Sequence, residues 1–139
     1  MTVNAKKGSC GCCAVEFIMN SEVLNVVNCH CDMCRNHNGS SFSTYAVLPF
    51  RALEITKGNE LIKVYSVGSG QKHFCGKCGT PLYNTNEKYP GACMIFLGTL
   101  SSSRALLPKI NVWYESKLAW LDDISDISSF PQGIESRGA

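Results

Sequence analysis

The spacing of cysteine constrains this chain more than any other feature. Nine of its 139 residues are cysteine, and seven of these fall into three short groups. The groups are a CxC at Cys10 and Cys12, a CxCxxC at Cys29, Cys31 and Cys34, and a CxxC at Cys75 and Cys78. Thiolates at such spacings are typical ligands of a zinc ion. The fold is therefore expected to gather distant segments around metal sites.

The N-terminus and the compartment that it implies favour metal binding over disulfide bonding. The stretch MTVNAKKGSCGC has no apolar segment after its two lysines, so we expect no secretory signal. No apolar run reaches the roughly 18 residues of a membrane span. These features predict a cytoplasmic location, where clustered cysteines bind metals rather than forming disulfides.

Charge gives no indication of a nucleic-acid partner. Lys and Arg number 13 against 11 Asp and Glu, and no basic run is longer than Lys6-Lys7. A nucleic-acid-binding domain carries its basic residues clustered on one face or along one helix. We therefore expect neither a nucleic-acid partner nor a membrane partner, and the sequence leaves the oligomeric state open.

Short apolar runs between turn residues predict a mainly β fold. Several runs alternate with period 2, as in LIKVYS, and none forms a long amphipathic helix. Runs of this length, separated by turn signals, are typical of a β-sheet sandwich or barrel-like domain. The predicted runs are AVEFIM (14–19), EVLNVVN (22–28), FSTYAVL (42–48), LEIT (53–56), LIKVYS (61–66), CMIFLGTL (93–100) and INVWY (110–114).

The first and last cysteine groups together predict a structural zinc site. In an extended strand, residues i and i+2 point the same way, so Cys10 and Cys12 can face one ion. Cys75 and Cys78, followed by Gly79, resemble a zinc knuckle. Two sulfurs from each half complete a closed tetrahedral site, which is the form typical of structural zinc.

The middle group predicts a second zinc site with an open position. Cys29, Cys31 and Cys34 can converge from one tight loop, whereas His30 is expected to point the other way. Three protein ligands and one vacant position are typical of a catalytic zinc. An alternative partition adds His30 or Cys13 and closes both sites. We expect Cys13 and Cys93 to be small buried apolar residues instead.

Other polar and aromatic residues have two interpretations each. His37 and His73 could act as acid, base or substrate contact, or could lie beside the metal or on the surface. Arg35 could attract an anionic substrate or be a surface residue. Three aromatic side chains are expected in the core or in a cleft wall: Trp113, Tyr114 and Trp120.

Five motifs occur in an order that resembles the glutathione-dependent formaldehyde-activating enzyme family, whose relatives include centromere protein V. The likeness covers about residues 8–121, which we expect to be the core of a single domain spanning residues 1–139. The motifs are GSCGC, CHCDMCRNHNGSSFS, HFCGKCGTPLY, FLGTL and LPKINVWYESKLAW. The resemblance implies a zinc-bearing, Mss4-like β fold, similar to that of a small Rab-binding guanine-nucleotide release protein.

The resemblance also implies an activity and a ligand set. The activity is the reversible joining of glutathione and formaldehyde to S-hydroxymethylglutathione, which is a carbon–sulfur lyase reaction. Two zinc ions per chain are implied, one structural on Cys10, Cys12, Cys75 and Cys78 and one catalytic on Cys29, Cys31 and Cys34. The chain departs from the family at Asn111, where a histidine is frequent, and at GTLSS, where the family has GTLDD.

Two rival functions remain open. Fold does not fix function, so a zinc-stapled adaptor or interaction module is the main alternative to an enzyme. A thiol redox protein would need its CxxC on a helix after a strand, whereas CGKCG ends in glycine among β runs. Within the enzyme reading, zinc could either favour the substrate thiolate or polarise the carbonyl oxygen.

Overall fold

The computed structural model describes residues 6–136, so the predicted domain limits at residues 1 and 139 lie outside it. Within this range the chain forms ten strands and one short α-helix. The strands are β1 (Lys6–Ser9), β2 (Glu16–Met19), β3 (Asn25–Cys29), β4 (Ser43–Pro49), β5 (Leu53–Lys57), β6 (Ile62–Val67), β7 (Gly70–Cys75), β8 (Pro81–Asn86), β9 (Ala92–Phe96) and β10 (Ile110–Val112). The helix is α1 (Asp32–Asn38). The predicted mainly β class is confirmed.

Short 3₁₀ helices make up most of the remaining regular structure. The longest lies beyond β10 in the C-terminal part of the chain. Their bounds are Phe50–Ala52, Asn59–Leu61, Leu97–Thr99, Ser103–Ala105, Tyr114–Ser116, Ala119–Asp126 and Ile134–Ser136. No helix between residues 6 and 136 has the length and apolar character that crossing a bilayer requires.

The strands form two sheets, and neither closes into a barrel within the described residues. The smaller sheet has the order β1-β2-β5, and the larger has the order β10-β3-β4-β9-β8-β7-β6. All pairings are antiparallel except that of β10 with β3. Because β4 and β9 lie in the middle of the larger sheet, they provide the rigid support for the segments that carry the cysteines.

The hydrophobic core lies between the two sheets. Alternation places Phe17 and Met19 of β2 on its inner face, where they meet Leu48 of β4 and Ile95 of β9. Burying a side chain of this size stabilises the fold by roughly 1.5–3 kcal/mol. Both sheets therefore contribute to one core, as expected for a sandwich.

Helix α1 was not predicted, although signals for it are present in the sequence. It begins after Cys31, whose Sγ accepts a hydrogen bond from the backbone N–H of Cys34. It ends before Gly39, which adopts the left-handed conformation (φ 61°) that glycine tolerates best. None of its seven residues is fully buried, so it has no apolar stripe for a periodicity search to find.

Candidate metal centres

Four cysteines from two distant turns form one cluster. Cys10 and Cys12 lie in the turn between β1 and β2, Cys75 ends β7, and Cys78 lies in the turn before β8. Their four Sγ atoms lie within 4.8 Å of one another. The structure thus brings together the four residues predicted to bind a structural zinc, although that assignment stays a prediction. We expected the CxC to lie on an extended strand. This is wrong, because the chain turns at these residues.

Backbone amides point at the sulfurs of this cluster. The N–H of Val15 donates to Cys10 Sγ at 3.3 Å, and the N–H groups of Lys77 and Cys78 both donate to Cys75 Sγ at 3.4 Å. Donors of this kind favour thiolate over thiol. Both turns therefore direct backbone donors at sulfur, and a thiolate is the form of cysteine that binds zinc.

A threonine joins the two turns of the four-cysteine cluster. The Gly11 N–H donates to Thr80 Oγ1 at 2.9 Å, and the same oxygen lies 3.1 Å from Cys78 Sγ. A Cβ at position 11 would lie 3.2 Å from this oxygen, so glycine allows the close approach. The hydrogen bond from Thr80 lowers the pKa of Cys78 to about 5.

Three further cysteines form a second, more local cluster. Cys29 ends β3, Cys31 precedes α1 in an extended conformation, and Cys34 lies in the first turn of that helix. Their Sγ atoms also lie within 4.8 Å of one another, and those of Cys29 and Cys34 are 3.5 Å apart. A strand end followed by a helix start thus folds CxCxxC around one point.

The donor chemistry of both clusters fits a cation. The hydrogen bond between Cys29 and Cys34 lowers the pKa of the first thiol and, with burial, raises that of the second well above its usual range. Sulfurs so close cannot all ionise in the absence of a positive charge, because each thiolate disfavours the next. A metal ion removes this conflict, and soft thiolate ligands favour zinc, copper(I) and iron–sulfur clusters over magnesium and calcium.

His30 lies outside the three-cysteine cluster. Its ring is stacked on Phe42 with 5.1 Å between centroids and meets Tyr114 edge-on at 5.3 Å. Its Nε2 lies 3.1 Å from Oδ1 of Asn111, and the residue is only 4% exposed. Within residues 6–136 no histidine or carboxylate joins either cluster, and Cys13 joins neither. The alternative partition that adds His30 or Cys13 is thus not the one that the structure assembles.

A family comparison covers the part of the chain that carries both clusters. The family model described as "Glutathione-dependent formaldehyde-activating enzyme" matches residues 5–116, which include all seven clustered cysteines. The chain belongs to this family.

Relatives of the formaldehyde-activating enzyme family differ in how much of them this chain covers. Proteins named "Putative glutathione-dependent formaldehyde-activating enzyme" include one from Halomonas elongata, which is 23% identical over 84% of this chain and 79% of its own length. One from Emericella nidulans is 32% identical over 56% of this chain and 41% of its own length. One from Penicillium rubens is 33% identical over 57% of this chain and 43% of its own length. The match therefore spans less than half of each of the last two proteins.

A solved structure supports the fold. The crystal structure of a Rhodobacter sphaeroides protein superimposes with a TM-score of 0.63 at 24% sequence identity. The match covers 76% of this chain and 99% of that protein. At this identity the likeness extends to the fold alone.

The residues near the three-cysteine cluster of this family member include several that the sequence did not indicate. The hydroxyl of Tyr45 on β4 lies 3.3 Å from Cys34 Sγ. Side-chain amides of Asn38 and Asn84 reach the same hydroxyl. Asn84 and Lys72 are direct register partners on β8 and β7, so their side chains share one face of the sheet. Since strand pairing brings these residues together, no local sequence signal could have found them.

The predicted auxiliary residues lie elsewhere or have other partners. Arg35 donates to the backbone carbonyl of His30 and to the carboxylate of Asp32. The His37 ring is packed against Tyr65, outside both clusters. His73 is stacked on Tyr83 at 4.2 Å, and burial lowers the pKa of its imidazole. Their proposed roles in substrate binding or catalysis stay predictions.

The aromatic residues near the C-terminus are not part of the core. Trp113 is 61% exposed and Trp120 is 45% exposed, so a core position for them is wrong. Tyr114 lines a cavity of about 220 Å³ together with His30 and Lys117. Its predicted place in a cleft wall is thus confirmed.

A larger cavity of about 1180 Å³ lies against both sheets. Cys10 of the first cluster lines it, as do Asn38 and Ser43, which neighbour the second. Asn38 donates to Ser43 Oγ at 2.7 Å and also reaches the hydroxyl of Tyr45. The cavity thus approaches the second cluster through this hydrogen-bond network, whereas none of its described lining residues is Cys29, Cys31 or Cys34.

Proposed function

We propose that this protein is a zinc-dependent carbon–sulfur lyase that forms and breaks the adduct of a thiol with a small aldehyde. Membership in the formaldehyde-activating family and the names of its relatives support glutathione and formaldehyde as the pair. One observation carries the proposal. Three sulfurs converge at Cys29, Cys31 and Cys34, and no fourth described ligand completes the set.

The proposal assigns two zinc ions with different roles. Cys29, Cys31 and Cys34 would hold the catalytic ion. The structural ion would have the four ligands Cys10, Cys12, Cys75 and Cys78. When bound at the open site, zinc lowers the pKa of a thiol ligand or polarises a carbonyl oxygen. The seven cysteines would act as ligands, and none would act as the nucleophile.

The reaction itself needs little more than positioning. The thiol sulfur adds to the carbonyl carbon, and the thiol proton ends on the former carbonyl oxygen. A carbon–sulfur bond forms, a hydroxyl group appears, and nothing is oxidised or reduced; the reverse reaction restores thiol and aldehyde. Packing of His30 between Phe42 and Tyr114 would hold the cysteine loop in place during this cycle.

The test combines metal analysis with the rate of adduct exchange. Purified protein with two zinc ions per chain should accelerate formation and breakdown of S-hydroxymethylglutathione, followed by NMR exchange with ¹³C-formaldehyde. Cys34→Ser should lose this acceleration and the metal at the second cluster. Cys13→Ser, at an exposed cysteine outside both clusters, is the matched control and should keep both. A fully zinc-loaded protein inactive with several thiols and aldehydes would overturn the proposal.

One feature favours the adaptor as a second candidate. The C-terminal part of the chain exposes several large apolar side chains, and such surfaces mark interaction sites when they are contiguous. They are Trp113, Trp120, Ile124, Ile127, Phe130 and Ile134. An adaptor would keep two zinc ions and show no acceleration in the same assay.

A further inference from the structure

Tyr45 occupies a special position beside the three-cysteine cluster. It lies on the central strand β4, is only 5% exposed, and meets Phe96 edge-on with 4.9 Å between ring centroids. Packing therefore fixes the ring. Its hydroxyl oxygen lies 3.3 Å from Cys34 Sγ, within the range of a hydrogen bond to sulfur.

The neighbours of this hydroxyl decide which way its proton points. Asn84 Nδ2 donates to the Tyr45 oxygen at 3.3 Å, and Asn38 Nδ2 donates to it at 3.5 Å. A tyrosine hydroxyl has one proton to donate, while an amide nitrogen can only donate. The hydroxyl also contacts Cys34 Sγ, which lies 3.3 Å away. As a zinc ligand this sulfur would be a thiolate without a proton, so it can only accept.

We propose that Tyr45 is a positioning residue of the second metal centre. Its hydroxyl donates a hydrogen bond to the Cys34 thiolate. This inference rests on the proposed zinc site. A hydrogen bond to a metal-bound sulfur disperses its negative charge and fixes its orientation. Cys34 is thereby kept as a ligand and made a poorer nucleophile toward an aldehyde than the incoming thiol.

Cys34 and Cys31 differ in whether the donor to their sulfur can be removed by a simple substitution. Cys31 Sγ accepts the backbone N–H of Cys34 at 3.2 Å, which mutation leaves in place. At the four-cysteine cluster, Cys10 and Cys75 also accept backbone N–H groups. Tyr45→Phe removes the donor to Cys34 and retains the ring that packs on Phe96.

The experiment measures the metal centre rather than turnover. In Tyr45→Phe, zinc affinity at the second cluster should fall by about 10–100-fold in a chelator competition, as is typical when a partner of a metal ligand is lost. The first cluster should keep its zinc and serves as the internal reference. With cobalt in place of zinc, the sulfur-to-metal charge-transfer band should move to longer wavelength, because the sulfur electrons are less stabilised.

A matched control separates this effect from the general loss of a buried hydroxyl. Tyr83 is also buried, at 7% exposure, and its register neighbour on β9 is Ile95, on the core side of the sheet. Tyr83→Phe should leave zinc affinity and the cobalt spectrum unchanged. If it moves them as much as Tyr45→Phe does, the inference is wrong.

A second variant keeps the test decisive if Tyr45→Phe fails to fold. Asn84→Asp replaces an amide donor by a carboxylate of the same size, which accepts the Tyr45 proton and draws it away from Cys34. It should shift the cobalt band in the same direction. Where Tyr45→Phe does fold, the double variant Tyr45→Phe/Asn84→Asp should shift the band by less than the sum of the two single variants, because both act through the same hydroxyl.

The outcomes distinguish the inference from the proposed function. A cobalt band unchanged by Tyr45→Phe, in a protein that still turns over adduct, overturns the inference alone. The expected shift in a protein without turnover supports the inference and overturns the proposed function. A second cluster that binds no metal overturns both.

Discussion

At the scale of single residues, burial determines what each cysteine can do. Cys93 of β9 is fully buried, pairs with Leu48 across the sheet, and lies outside both clusters. Burial raises the pKa of its thiol from 9.0 to about 12. Its predicted place as a small buried apolar residue is confirmed, because it lies within an apolar strand.

The raised pKa of Cys93 predicts a loss of stability at alkaline pH. Between pH 9 and 12 the unfolded chain releases the thiol proton while the folded chain keeps it, so the free energy of unfolding falls as pH rises. This residue should contribute a loss of about 1.4 kcal/mol between pH 8 and pH 10. Urea unfolding of wild type and Cys93→Ala at both values measures the difference. The variant should lose less stability than wild type, and an equal loss would contradict the assignment.

Conformation at one residue explains why Cys13 differs from Cys93. We predicted both to be buried, but Cys13 is exposed and adopts a positive φ of 63°. It lies in a turn, where Cys10 N–H donates to the carbonyl of Val15 at 3.0 Å and Cys13 N–H donates to that of Cys10 at 3.1 Å. The local pattern SCGCCAVEF resembles a strand in composition, so the reversal could not be predicted from residue types alone.

At the scale of elements, this turn yields a prediction about its backbone. The left-handed conformation raises the free energy of the folded state by roughly 1–2 kcal/mol for a non-glycine residue, because its Cβ crowds the backbone. Glycine has no Cβ and adopts this conformation without that penalty. Cys13→Gly should therefore be more stable than Cys13→Ala by about 1 kcal/mol, with two metal ions bound in both variants. Chemical unfolding and metal analysis test this. A less stable Cys13→Gly, or the loss of an ion in either variant, would contradict the geometry.

The strands that were predicted and those that were missed differ in polarity. Strands β2 to β6, β9 and β10 lie within or beside the predicted apolar runs. Strands β7 (GQKHFC) and β8 (PLYNTN) are too polar for that search and become strands because each pairs on both sides. The three cysteine motifs could be recognised because the spacing within each is local, and the partition followed from giving four sulfurs to the closed site. The contact of Tyr45 with Cys34 could not be predicted, because it depends on how α1 lies over β4.

At the scale of the whole molecule, the two clusters span very different lengths of chain. The four-cysteine cluster joins the turn after β1 in the small sheet to the hairpin of β7 and β8 in the large sheet. The three-cysteine cluster closes only the loop between β3 and α1. A link stabilises more when it closes a longer segment, because the unfolded chain loses more conformational freedom.

This difference predicts that metal binding at the two clusters contributes unequally to stability. Cys75→Ser should lose one metal ion and lower the thermal midpoint by about 10 °C or more, since structural zinc contributes several kcal/mol and each kcal/mol shifts the midpoint by roughly 2–8 °C. Cys34→Ser should also lose one ion, but with less than half of that shift, because its cluster closes a short loop. Calorimetry on both variants, with metal content measured on the same samples, makes the comparison. Equal shifts, or a larger shift for Cys34→Ser, would mean that the local cluster stabilises the fold and would weaken its assignment as the open, reactive site.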